Sequence, residues 1–223
     1  MPDSPDHQPD RRRFLGTLGT AVALGAVATA GAGLPVVAQG VSFDTWLDAL
    51  KGKHKQLFDW PEPEGGLGLR HVKGYLNTWR DAYGIQEKDL SVIVALYGHT
   101  LPLGLTDEMW EKYQLGQALG VTDPKTNAPL VRNWFAHLQP GDPVADGQAD
   151  ASIEKLQGRG VLFIVCNNAL GNWAARLAPA HGGDAAAVRA DFLAHVIPGA
   201  VVVPGVMVAM NKAHERGFGY VRF

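Results

Sequence analysis

The sequence predicts an α/β domain on a mainly parallel, five-stranded sheet with helices on both faces. Two observations carry that expectation. Short β-branched, apolar runs alternate with segments whose apolar residues fall at helical spacing, and glycine or proline stands at most of the junctions between them.

In chain order, a helix over residues 43–50 precedes a short strand at 55–59. Leu69, Val72, Leu76, Trp79 and Tyr83 then recur on one helix face, and Gly84 supplies the C-terminal cap. Residues 90–97 (Leu-Ser-Val-Ile-Val-Ala-Leu-Tyr) form a nearly unbroken apolar run, the pattern of a strand covered on both sides. Thr106 reads as the N-cap of a helix over 107–119, with Asp107 and Glu108 in the first turn, where a helix dipole favours acids. Residues 120–150 are punctuated by Pro124, Pro129, Pro140, Gly141 and Pro143 and read as a long irregular excursion. Within it, Arg132-Asn133-Trp134-Phe135 is expected to pack over a site or partner surface. Regular structure resumes with a helix at 152–158 and a strand at 161–165 that ends in Cys166-Asn167-Asn168. Helices at 169–177 and 185–195 lead to a strand at 200–203. Pro204 and Gly205 turn into a helix at 206–216, Gly217 ends it, and 218–223 supply the last strand.

Composition narrows the function classes. Hydrophobic residues make up 46% and charged residues 19% of 223, which fits a packed domain and excludes a disordered chain. A net charge of −2 leaves no basic footprint for a nucleic-acid backbone. The single cysteine excludes an intramolecular disulfide. At the start of the chain, Arg11-Arg12-Arg13-Phe14-Leu15 matches the twin-arginine pattern, with Asp10 where Ser or Thr is more usual. An uncharged Ala/Gly/Leu/Val stretch follows, and Val36-Val37-Ala38 offers small residues for cleavage before Gln39. Residues 1–38 are therefore expected to be an export signal and 39–223 the working domain, placed outside the cytoplasm, in the periplasm or an equivalent compartment. The stretch is long enough to span a bilayer if it were retained, but its glycines and alanines make it weakly apolar. Twin-arginine export permits a cofactor inserted before crossing and does not require one. None is expected here.

In an open parallel sheet, ligands bind outside the carboxyl ends of the strands. Tyr97-Gly98-His99-Thr100 and Cys166-Asn167-Asn168 deliver polar groups to that edge. A cysteine between a strand end and a helix start lies near free backbone N–H groups, which favour the thiolate. The same residue also reads as a small buried hydrophobe. Asn167 and Asn168 can hydrogen-bond a small anion or the turn itself. His99 is either an acid/base group or a histidine bonded to backbone, and His71 sits beside the apolar face of its helix. No close metal-ligand spacing occurs among the eight histidines and the cysteine, and no metal is expected. Gly65-Gly66-Leu67-Gly68 lacks the ending of a phosphate loop, and neither Ser91 nor Ser152 lies in a nucleophile elbow.

Residues 160–170 (Gly-Val-Leu-Phe-Ile-Val-Cys-Asn-Asn-Ala-Leu), 201–206 (Val-Val-Val-Pro-Gly-Val) and 215–221 (Glu-Arg-Gly-Phe-Gly-Tyr-Val) together resemble the DsrE-like sulfur-relay family. The strand ending near Gly98 and His99 resembles that family's second strand. The resemblance implies a flavodoxin-like or DsrE-like sheet that assembles as a homo-oligomer, with sulfane sulfur carried as a persulfide on Cys166. The chain departs from the relay members in its export signal, its 120–150 excursion and an added helix around 181–195.

The reading drawn from this is an exported protein that takes sulfane sulfur on Cys166, from a small sulfur species or a partner sulfur-transfer protein. Asn167 and Asn168 would stabilise the charged sulfur, His99 would move a proton, and His71, Arg132 and Trp134 are further candidate ligand-binding residues. The alternatives are a non-catalytic protein binding a small ligand or metal through His99 and His71, and a subunit of an exported complex with 132–135 as its contact surface.

Overall fold

Residues 44–140, 142 and 149–223 are described in the computed structural model of the protein, and the expected export signal lies outside them. Among these residues, β1 (His54–Trp60), β2 (Leu90–Leu96), β3 (Val161–Cys166), β4 (Val201–Val203) and β5 (Gly219–Arg222) make one sheet. Every pairing is parallel, in the order β4-β3-β2-β1-β5, so the α/β class and the five-stranded parallel sheet are observed as expected. The last strand lies beyond the first here, a position that a flavodoxin-like sheet gives to its second strand.

The helices are α1 (Thr45–Asp48), α2 (Leu67–Tyr83), α3 (Asp107–Lys112), α4 (Leu115–Leu119), α5 (Ile153–Gly158), α6 (Asn167–Leu177), α7 (Ala185–Ala194) and α8 (Val206–Glu215). From β1 to β4 the chain steps in one direction, and right-handed crossovers put α2 to α7 over one sheet face. The step from β4 back to β5 reverses direction and puts α8 over the other. Adjacent side chains of β1 bear this out, because successive strand residues point to opposite faces. Phe58 meets Tyr75 of α2 edge-on at 5.3 Å, whereas Leu57 lines a cleft with Met207 and Met210 of α8. Two ion pairs, Lys212 to Asp44 at 3.2 Å and Arg216 to Asp48, tie α8 to the start of the domain. β2 is the centre of the core. All seven of its residues are buried, which is why it reads as a continuous apolar run. Among the described residues, no helix is long and apolar enough to cross a membrane.

The helix expected over 107–119 is two helices. Gln114 takes a left-handed conformation (φ 49°) between them. The break lets the fully buried Trp110 donate its indole N–H to the Pro102 carbonyl at 2.7 Å, while Gly116 comes hard against the backbone of Leu130. The described part of the excursion is built into the domain. Leu130 N–H donates to the Val121 carbonyl at 3.0 Å. Asn133, fully buried, donates from its side-chain amide to the carbonyls of Leu103 and Leu105 at 2.9 and 2.8 Å, and accepts from Ala136 N–H at 3.0 Å. With Asn133 and Phe135 buried and Arg132 and Trp134 half-buried, this stretch is packed into the domain, as its aromatic residues led one to expect.

Gly116 carries a prediction. A Cβ there collides with the Leu130 backbone, which cannot swing away as a side chain can. Gly116→Ala is therefore expected to cost about 1–3 kcal/mol in chemical denaturation. Gly74, inside α2 with open space around it, serves as the contrast, and Gly74→Ala should add about 0.5–1 kcal/mol. Equal stability of Gly116→Ala and the parent would mean that α4 and the excursion are not packed as described.

Candidate functional site

β3 and β4 are neighbours in the sheet, yet the chain leaves their carboxyl ends toward opposite faces, α6 on one side and α8 on the other. The diverging connections open a crevice at this switch point. Cys166 is the last residue of β3 and Asn167 the first of α6, so no loop residue separates strand from helix. By strand alternation the Cys166 side chain shares the α8 face with Ile164, and its register partner is Val203 of β4. The thiol is free and 5% exposed, and the Val206 N–H at the start of α8 donates to Sγ at 3.5 Å. The amino ends of α6 and α8 thus converge on the sulfur.

A cavity of about 480 Å³ opens above it. Cys166, Ala169 and Val206 line it together with Tyr97, Gly98 and His99 from the segment after β2. α6 contributes Asn168, Asn172, Trp173 and Arg176, and α8 contributes Met207 and Val208. Gly205 permits the tight fit at the turn into α8, since a Cβ there would lie 3.2 Å from the Asn168 amide nitrogen. Trp173 donates its indole N–H to the Gly98 carbonyl at 2.7 Å, which joins α6 to the segment after β2. His99 sits on the rim, half exposed, with Nδ1 2.6 Å from Glu62 Oε2.

Of the residues singled out in the sequence, the structure brings Cys166, His99 and Asn168 into this one cavity. The others lie elsewhere. Asn167 is one helical step round from Asn168, and its side-chain oxygen accepts from Arg189 at 2.7 Å. His71 stacks on Phe223, ring centroids 4.9 Å apart, on the side of β1 away from β3. Arg132 pairs with Asp142 and lies over Trp134, which lines a separate cavity with Leu69, Val121 and Leu130. The reason is the packing of Asn133, which fixes that stretch against the 103–105 backbone. Among the described residues, no group of three or more His, Cys, Asp or Glu is placed to hold a metal ion.

One buried polar cluster escaped the sequence reading. Asp59 in β1 is 3% exposed and accepts from the Tyr97 hydroxyl at 2.5 Å and from the Tyr220 hydroxyl, with the Arg222 guanidinium 3.9 Å away. Burial raises the Tyr97 phenol above its ordinary range, and the hydrogen bond and charge of Asp59 push the same way. Tyr220 is raised chiefly by its hydrogen bond to Asp59. Tyr97 also lines the Cys166 cavity, so the cluster braces one of its walls. The visible signal was a carboxylate inside an apolar strand, Phe58-Asp59-Trp60.

No family model matches the chain, and no curated protein matches it. Among solved structures, it is similar to a protein of unknown function, MTH1491, from Methanobacterium thermoautotrophicum. That match has 15% identity and a TM-score of 0.40, and covers 76% of this chain and 99% of that one.

The Asp59 cluster predicts an alkaline response. Both phenols hold their proton more tightly in the folded chain, so their contribution to stability is complete below the ordinary tyrosine range near pH ~10 and is lost as pH rises from there through the folded values. Tyrosinate absorbance should show these two residues ionising late, and Asp59→Asn should move two phenols' worth of signal to lower pH. Superimposable titrations of variant and parent would show that the carboxylate does not hold them.

Proposed function

We propose that the protein is an exported sulfur carrier that accepts a sulfane sulfur on Cys166 and holds it as a persulfide. The observation that carries the reading is the position of Cys166 Sγ: at the base of a switch-point cavity, with the Val206 N–H aimed at it. Backbone N–H groups at a helix start suit a sulfur bearing negative charge. The likeness of residues 160–170, 201–206 and 215–221 to the DsrE-like pattern supports the same chemistry, and the twin-arginine pattern supports a site of action outside the cytoplasm.

The transfer balances without an external oxidant. The Cys166 thiolate attacks the outer sulfur of a donor R–S–SH, a new S–S bond forms, the donor's own S–S bond breaks, and R–S⁻ leaves with the electron pair. Cys166 then carries –S–SH. With Nδ1–H donated to Glu62, His99 Nε2 is the ring's acceptor, able to take the proton that the Cys166 thiol gives up and to pass it on to the departing thiolate. Asn168 offers an amide to the charged sulfur.

A second reading, non-catalytic binding of a small molecule in the same cavity, is favoured by the burial of the thiol. Intact-mass spectrometry separates the two. After exposure to polysulfide, the protein should gain the mass of one or more sulfur atoms, lose it with a reductant, and show no gain as Cys166→Ser. A thiol that stays unmodified under these conditions would remove the carrier reading, and a ligand retained in the native spectrum would then favour binding.

A further inference from the structure

We infer that the Cys166 cavity is built for an organic donor that carries a carboxylate well separated from its sulfur, an acidic, peptide-sized persulfide held by Arg176. The identity of the reacting group rests on the sulfur-carrier reading. The charge and size of what binds rest on the cavity itself.

The charge argument comes from the lining. It includes Arg176 and no aspartate or glutamate, and His99 on the rim is paired with Glu62, in a chain whose net charge is −2. Arg80, Arg132, Arg159, Arg216 and Arg222 each face a carboxylate. Arg176 forms no ion pair among the described residues. Its guanidinium carbon sits over the Trp173 ring, 3.7 Å from the centroid, and among the described residues its one hydrogen bond is a long one to the Ala118 carbonyl at 3.4 Å. The indole contact restrains the guanidinium, and a guanidinium with no acidic partner has N–H donors to offer a carboxylate. Two helix amino ends, those of α6 and α8, add positive potential at the other end of the cavity.

The size argument comes from the helix. Asn168, Asn172 and Arg176 succeed one another at four-residue intervals and form one stripe along α6. Arg176 lies ten residues beyond Cys166, about 15 Å along the helix axis at 1.5 Å per residue. Helical side chains lean toward the amino end, and a fully extended arginine shortens that span to roughly 8–10 Å. A sulfide ion or a two-carbon mercapto acid cannot bridge it; a tripeptide-like thiol can. The volume, about 480 Å³, falls in the range of sites that enclose whole organic ligands. The two asparagines would meet the amide groups of such a donor, while Trp173 and Met207 offer apolar contact to its skeleton.

The step is the one given above, with R–S⁻ now the acidic thiol that leaves when the donor S–S bond breaks. The test uses glutathione persulfide and the persulfide of glutathione diethyl ester, which keeps the skeleton and removes the carboxylate charges. Loading of Cys166 is followed by intact mass. The acid should load about tenfold faster than the ester, the value of one charge-assisted contact. In Arg176→Gln, which keeps the stem on Trp173, that ratio should fall to within about twofold, and Arg176→Lys should restore part of it. Equal rates for acid and ester, or a ratio unmoved in Arg176→Gln, would overturn the inference and leave the carrier reading standing. If neither donor loads, the carrier reading fails and calorimetry on Cys166→Ser decides the inference. Saturable binding of reduced glutathione, weakened about tenfold by adding Arg176→Gln, would uphold an acid-selective cavity, and no binding would overturn it.

Discussion

The structure depends on one change of direction in the sheet. Strands β1 to β4 advance stepwise, and the chain must then return past all of them to lay β5 beyond β1. Because the parallel crossover keeps its right hand, this return passes over the face opposite to every earlier crossover. β3 and β4 are thereby forced to part company at their carboxyl ends. The cavity, the convergence of two helix starts and the place of the thiol in the cavity lining all follow from this parting. A chain continuing from β4 in its original direction would have placed α8 beside α7 and left Cys166 under no second helix start.

The walls of the cavity are held by bonds that cross between strand ends. Thr100 Oγ1 donates to the Trp60 carbonyl at 2.5 Å, His99 N–H donates to the Pro61 carbonyl at 3.1 Å, and Tyr97 reaches Asp59. The segment after β2 is thus sewn to the end of β1 at three points and to α6 through Trp173 at a fourth. Asp59 also draws in Tyr220, which makes the exposed edge strand β5 part of the same brace. Apart from Trp173 in α6, these groups are placed by a strand or by the first residues after one, so the wall is preorganised before any ligand arrives.

What the sequence disclosed, and what it withheld, divides along physical lines. Apolar runs and helical spacing depend on local geometry, so the strands, most of the helices and the shared edge of His99 and Cys166 were legible. The break at Gln114 was not, because the contacts of Trp110 and Gly116 that impose it come from Pro102 and Leu130, one before the helix and one well after it. Asn167 and Asn168 read alike in sequence, but adjacent positions on a helix differ by about 100° of rotation, and only Asn168 faces the cavity. Arg176 was overlooked because its significance is relational. It lacks the acidic partner that five of the described arginines have, and partners are assigned by topology.

On the proposed reading, a recessed position for the sole cysteine protects a reactive sulfur in an oxidising compartment. With one cysteine in the chain, the hazard is a disulfide between two copies, which requires two sulfur atoms to approach within bonding distance with their backbones close behind. Cys166 lies at the end of β3, a covered inner strand, 5% exposed, with α6 and α8 on either side of the approach. Another folded copy cannot bring its own Cys166 down that cavity, because its thiol is recessed to the same depth. A slender R–S–SH can reach the sulfur end-on. On the proposed reading, burial and reactivity are therefore not in conflict, since the depth that makes the thiol look structural is also what restricts its partners to small, extended donors.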